Sequence, residues 1–348
     1  MRLASNLVAF APLATISTIC PVSAATAIPQ YVYDYAPLVW LHSQDPYRPS
    51  DLQAQLDHTT PEVNWTAIKT VPSPLTLNNL DQLNNMGNTS VYLTSHGGIA
   101  ATPEPAWFRG ITPDSDGRTG NGTGCAIVVV DHGRGEVDAF YFYFYAYNKG
   151  DKVLGMEFGD HMGDWEHNMI RFSNSTPQSI WFSQHASGQA FTYGALEKQG
   201  IRPYSYSGNG THANYAIAGQ HDHTIPGINF PTGFLLDYTD RGVLWDPILN
   251  SYAYTYDPST ATFSPGSADY PVSWLNFNGK WGDDKPPNEP SIFGEAKYVA
   301  GPNGPKFKTL NRTHTCPSTP CVVLPFKIWA EKEKEAENER EKEKKTTS

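Results

Sequence analysis

Charge is scarce in this 348-residue chain, where Asp, Glu, Lys and Arg together make up only 17% of residues. That argues against long amphipathic surface helices. Positive charge is scarcer still: 25 Lys and Arg stand against 35 Asp and Glu, a formal net charge of −10. The imbalance excludes a nucleic-acid groove and adhesion to anionic lipid through basic patches, and it is compatible with cation binding. After the first 27 residues no run is long and apolar enough to span a bilayer, so the mature chain is expected to lack a transmembrane segment. Gly-x-Ser-x-Gly, the elbow that a hydrolase serine needs, is also missing, which leaves Ser95 beside His96 without that meaning. What is abundant is glycine (29), proline (28) and aromatic side chains (13%). Such a chain is built from many short strands and tight turns.

That composition predicts an all-β fold, a single β-sandwich or jelly-roll-like domain with long loops over residues 30–330. Residues 1–24 read as a signal peptide: Arg2, then the apolar LVAFAPLATISTIC, then small residues at VSA or ATA. The mature protein is therefore expected in the secreted or vacuolar-lumen space. Six Asn-x-Ser/Thr sequons, at Asn64, Asn88, Asn121, Asn174, Asn209 and Asn311, agree with glycosylation on that route. Residues 331–348 alternate charge with no apolar face, a solvated tail that buries nothing. Of the cysteines, Cys20 leaves with the signal. Cys316 and Cys321, with four residues between them in a Pro/Thr-rich loop, are expected to form a disulfide, and Cys125 heads the apolar run CAIVVV as a buried thiol.

Several elements are legible. YVYDYAPLVWL opens as a strand, DLQAQLD is a short helix capped by Ser50, and CAIVVVDHGRGEVDAFYFYFYAYN is a hairpin turning between His132 and Gly135. Its aromatic run is expected to bury one face in the core. The chain's chemistry concentrates in GDHMGDWEHNMIRF, residues 159–172. Strand alternation puts Asp164, Glu166 and Asn168 on one face and Trp165, His167 and Met169 on the other. Gly159 and Gly163 let the backbone fold His161 back toward the two carboxylates. Two hard oxygen ligands and one imidazole suit a divalent cation, with Mg, Ca or Mn favoured over Zn. Asp151 and Asn148 lie one loop away, where either could supply a further oxygen. His185, His212, His221 and Asp222 fall in the same central block and form a possible additional site.

YAPLVWLHSQDPYRPSD, FYFYFYAYNKGD, FGDHMGDWEHNMIRF, SQHASGQAF and GTHANYA, in that order over roughly residues 30–330, together resemble the fungal vacuolar protein sorting-associated protein 62 family. The resemblance implies a secreted or vacuolar β-rich protein, with a role in vacuolar protein sorting. HMGDWE alone is similar to the Gly-His-Arg-His-Asp-Trp-Glu motif of the necrosis- and ethylene-inducing-peptide-like proteins, β-sandwich toxins that bind a divalent cation at membrane glycolipids. By that similarity His161, Asp164 and Glu166 match metal ligands, Asp151 is a candidate for the upstream aspartate, and Gly163 replaces a histidine. Three functions follow as expectations. One is a non-catalytic luminal protein with a divalent-cation site. Another is a secreted, metal-dependent binder of a glycan or membrane glycolipid, cytolysin-like in character. The last is a metal-assisted hydrolase with His212 or His167 as general base.

Overall fold

The computed structural model of the chain describes residues 26–153, 155–225, 228–230, 235–292 and 295–325. The expected signal peptide and charged tail lie outside the described residues. The fold is all-β, with few and short helices.

Its centre is an eight-stranded sheet. In chain order the strands are β1 (Cys125–Gly133), β2 (Glu136–Asn148), β3 (His161–Ser173), β4 (Thr176–Gln184), β5 (Ser187–Thr192), β6 (Ser251–Asp257), β7 (Thr262–Pro265) and β8 (Val323–Leu324). They lie side by side in the order β7-β6-β1-β2-β3-β4-β5-β8. β1 to β5 form an antiparallel meander, and β6 and β8 join in parallel at either side. Five consecutive β-prone runs dictate the meander, joined by tight turns except between β2 and β3, where residues 149–160 carry a small hairpin of their own. The first of those turns places Arg134 and Gly135 at positive φ, between residues that the sequence already marked as the hairpin turn.

The long strands β2 and β3 pair from Glu136↔Ser173 to Asn148↔His161. Alternation then sorts the aromatic run FYFYFY by residue type. Phe140, Phe142 and Phe144 enter one core with Trp165, Met169, Trp274 and Trp281. Tyr141, Tyr143 and Tyr145 enter another with Ile170, Phe172, Val39, Leu41 and Trp245. Both faces of the sheet are buried, where the sequence suggested one. The reason is that a second sheet, Arg202–Ser207, Leu38–Leu41 and Val243–Trp245, covers the tyrosine face, while the helix Leu52–Asp57 and the Trp274 and Trp281 segments cover the phenylalanine face. The tyrosine face carries hydroxyls, and these find partners: Tyr141 Oη donates to the Val32 carbonyl at 2.6 Å and Tyr143 Oη to Asn168 Oδ1 at 3.0 Å.

Two local expectations are corrected. YVYDY is a one-turn helix, Gln30–Asp34, and the strand begins only at Leu38, because Pro37 separates the two. The helix Leu52–Asp57 is capped by Asp51, whose carboxylate accepts from the Ala54 N–H at 3.0 Å, and not by Ser50. Cys316 and Cys321 form the expected disulfide, and Cys125 is a free buried thiol whose pKa burial raises well above its ordinary value. No helix among the described residues is long and apolar enough to cross a membrane.

Candidate functional site

The HMGDWE motif opens β3, at the end of the β2–β3 pairing. Trp165 turns into the phenylalanine core, lying parallel to Trp274 with ring centroids 5.6 Å apart and edge-on to Trp281. Asp164 and Glu166 turn the other way, toward the tyrosine face, and both are more than nine-tenths buried. Buried carboxylates require partners, and each has its own. Asp164 Oδ2 receives His212 Nδ1 at 3.0 Å, and its Oδ1 lies 3.6 Å from His161 Nε2. His212 is fully buried, stacked flat on Tyr145 at 3.7 Å, with Nε2 3.4 Å from Asp45 Oδ2. Glu166 accepts a short hydrogen bond from Ser183 Oγ, which also accepts from the His167 N–H at 2.8 Å.

The protonation of this group follows from burial and neighbours. Burial opposes charge on His212, but the hydrogen bond to Asp164 and the Asp45 carboxylate 3.4 Å away outweigh it, and its pKa is pushed up to about 9. Burial would likewise raise Asp164, yet His161, 3.6 Å away, and the hydrogen bond from His212 hold it well below the usual carboxylate range. Glu166 lacks such a cation. Burial first, and then the neighbouring Asp164 charge, push it up to about 8. At neutral pH the core of the motif is thus an imidazolium held between two carboxylates, beside a protonated Glu166.

The remaining residues singled out from the sequence go to different places. Asp151 is not with the motif: its Oδ2 meets His223 Nε2 at 2.7 Å. His185 sits in the β4–β5 turn at positive φ, with Nε2 2.7 Å from Asp237 Oδ2. Asn148 donates to the Gly159 carbonyl, and His161 Nδ1 lies 2.9 Å from the same oxygen. His221 stacks on Tyr215 and meets Thr239 Oγ1 at 2.9 Å; burial pushes its pKa down to about 4. Asp222 accepts from the backbone N–H groups of Thr224 and Leu235 and closes its own turn. His167 occupies the opposite face from Glu166, as alternation requires, and its Nε2 accepts from Arg312 Nη2 at 2.8 Å.

Sequence reasoning missed Asp45, Ser183 and above all Asp237. Asp237 is fully buried and accepts short hydrogen bonds from Thr211 and Tyr215, as well as meeting His185. It lies in LLDYTD, a stretch that reads as an ordinary strand. Its alternation, an aspartate facing the same way as Thr239, is the one signal that was available. Asp151, His185, His223 and Asp237 bring one ligand atom each to within 4.8 Å of one another, and theirs is the one group of this kind among the described residues. The two networks are joined through Thr211 and His212, adjacent residues that serve Asp237 and Asp164 respectively.

Over this end of the sheet opens a polar pocket of about 820 Å³ lined by Gln44, Lys149, Asp151, Lys152, Glu157, Asn209, Tyr238 and Lys297, among others. Lys149 and Lys297 both approach Glu157, at 3.4 and 2.9 Å, while Lys152 is exposed.

Fold and site together define a β-sandwich protein with a buried histidine–carboxylate network beneath a polar pocket. The vacuolar protein sorting-associated protein 62 family model matches residues 150–285, the stretch that carries most of this network. A putative vacuolar protein sorting-associated protein, TDA6, of Saccharomyces cerevisiae (strain ATCC 204508 / S288c) is 37% identical over 83% of this chain and 68% of its own. The vacuolar protein sorting-associated protein 62 of the same yeast is 34% identical over the same shares. The chain belongs to the vacuolar protein sorting-associated protein 62 family. Among solved structures it is similar to the non-toxic HaNLP3 protein, at 12% identity and a TM-score of 0.29 over 68% of this chain and 80% of that one. It is also similar to NLPPya in complex with mannosamine, at 11% identity and a TM-score of 0.26 over 60% of this chain and 78% of that one. Likeness at that level carries no inference about the ligand of this chain.

Proposed function

We propose that the chain is a non-catalytic binding protein of the secretory and vacuolar lumen that serves vacuolar protein sorting, and that it takes an acidic glycan in the pocket above β3. The observation that carries the reading is the pocket lining: an exposed tyrosine ring, Tyr238, with two amides, Gln44 and Asn209, and the exposed Lys152 beside the Lys149 and Lys297 pair that Glu157 engages. A flat ring offers a sugar an apolar face, amides satisfy hydroxyls, and Lys152, which Glu157 does not engage, offers an acidic group a local cation in a chain of net charge −10. The exposure of Asn64, Asn88, Asn121, Asn174 and Asn311 supports passage through a glycosylating compartment; Asn209 is half-buried in the pocket itself.

The two histidines considered as general bases support a binding role. His212 is sealed between Asp164 and Asp45, and burial together with the Arg312 and Lys308 charges holds His167 well below its ordinary pKa on the far side of the sheet. The divalent cation belongs to the same proposal. At His161, Asp164 and Glu166 it would have to displace the His212 imidazolium and the Ser183 hydroxyl, so the motif itself is a poor place for it.

The test is a panel of sialylated, phosphorylated and neutral glycans against the secreted chain. Acidic members bind, Lys152→Glu and Tyr238→Ala each weaken them about tenfold or more (~1.4 kcal/mol), and added salt weakens them further. Binding of neutral glycans alone, or indifference to both substitutions, would refute the reading.

A further inference from the structure

We infer that Asp151, His185, His223 and Asp237 form a binding site for a transition-metal dication of the zinc or manganese kind, separate from the HMGDWE carboxylates. The inference rests on the cation part of the reading above and not on the glycan part.

Four segments far apart in the chain supply these side chains: the short strand Asp151–Val153, the β4–β5 turn, and the antiparallel strands Gly219–Ile225 and Leu236–Thr239. Their four ligand atoms lie within 4.8 Å of one another. The imidazoles of His185 and His223 are stacked, with centroids 4.0 Å apart, and both present Nε2 to carboxylates. His185 Nε2 is 2.7 Å from Asp237 Oδ2, His223 Nε2 is 2.7 Å from Asp151 Oδ2, and His223 Nε2 is 3.9 Å from Asp237 Oδ2. Ligand atoms held at about 2.1 Å around a tetrahedral ion stand about 3.4 Å apart. The observed separations bracket that value, so small side-chain shifts suffice to admit an ion.

The chemistry of the donors selects the metal. Calcium and magnesium are held by oxygen, and calcium takes six to eight of them, whereas a pair of imidazoles with two carboxylates suits zinc, manganese or ferrous iron. Two carboxylates cancel the charge of a dication, so the occupied site is neutral and can be buried. Its support is already in place. Asp237, the most buried ligand, is oriented by Thr211 and Tyr215, whose hydroxyls both donate to it. Asp151 lines the open pocket, which provides an entry path from solvent.

Elemental analysis of the chain purified without chelator, followed by calorimetric titration of the stripped protein with Zn, Mn, Mg and Ca, tests the assignment. One equivalent of Zn or Mn binds far more tightly than Mg or Ca. Asp151→Asn and His223→Gln, at the less buried positions, weaken it about 100-fold or more, even if Asp237→Asn fails to fold. Asp164→Asn leaves metal affinity within a few-fold of wild type. A stripped protein that binds neither Zn nor Mn overturns the assignment, and so does binding lost with Asp164→Asn but kept with His223→Gln. Glycan binding that fails while metal binds, or the reverse, sinks one reading without touching the other.

Discussion

His212 occupies a backbone conformation, φ 56°, that few side chains other than glycine, asparagine and aspartate adopt readily. It is held there by the flat contact with Tyr145 and by the carboxylates on either side. Removing the imidazole leaves Asp45 and Asp164 buried together without a cation, so His212→Ala is expected to cost about 3–5 kcal/mol in chemical denaturation. Adding Asp164→Asn to that variant removes one of the stranded charges and restores part of the loss. An unchanged midpoint for His212→Ala shows that the imidazolium does not hold the carboxylates. The residues of this network were only half visible beforehand. The DWE motif stood out through its local density of acids, and alternation placed Asp164 and Glu166 on one face as observed. Asp45 and Asp237 had no such signal, since each sits alone in a strand or turn and gains its meaning from partners distant in the chain. Asp151 was visible, but its sequence neighbourhood pointed to the motif, and the fold hands it to His223 instead.

Within β3, Gly163 explains why the motif is interrupted. Its φ is +65°, and an added Cβ would fall 2.2 Å from the Trp281 carbonyl oxygen. The strand therefore has to pass the Trp281 segment with no side chain at this point, and that passage sets Trp165 into its aromatic core and Asp164 toward His212. Gly163→Ala should destabilise by about 1–3 kcal/mol, with the steric clash adding to the backbone strain. Near-ultraviolet circular dichroism should report the disturbance around Trp165, Trp274 and Trp281; an unperturbed spectrum and midpoint would mean that the segment relaxes freely. Strands of this kind were the most legible part of the chain, because β1 to β5 carry long β-prone runs and short turns. Their coverage was not. A period of two shows which residues share a face but not what packs on it, so the alternating Phe and Tyr of β2 read as one buried face until both cores were seen. YVYDY failed for a related reason: five residues are too few to separate a strand from a single helical turn ahead of Pro37.

The buried ionisable groups together make the molecule respond to pH as a unit. Glu166, raised from 4.5 to about 8, contributes stability that is fully present below pH 4.5 and is lost as pH rises through 8. His185 and His212, each raised from 6.5 to about 9, contribute stability that is complete below 6.5 and lost through 9. Burial raises Asp160 and Asp283 as well, in the same sense. Opposing them, Asp164 and Asp237 are lowered, so their contribution is complete above 3.8 and lost only as the solution becomes strongly acidic. His221, lowered to about 4, and His167, lowered well below 6.5, act in the opposite sense: their contribution is complete above 6.5 and is lost as pH falls, so they offset Glu166 between about 4.5 and 6.5, and folding takes up protons on balance from about 6.5 to 9. The stripped protein should be most stable near pH 6 and should lose stability most steeply between about 6.5 and 8, where Glu166, His185 and His212 act together. Melting midpoints of chelator-treated protein across this range test it, with Glu166→Gln expected to flatten the fall between 6.5 and 8 because its amide neither gains nor loses a proton. A midpoint higher at pH 8 than at pH 6.5 would show that His185, His212 and protonated Glu166 do not govern the stability of the fold in this range.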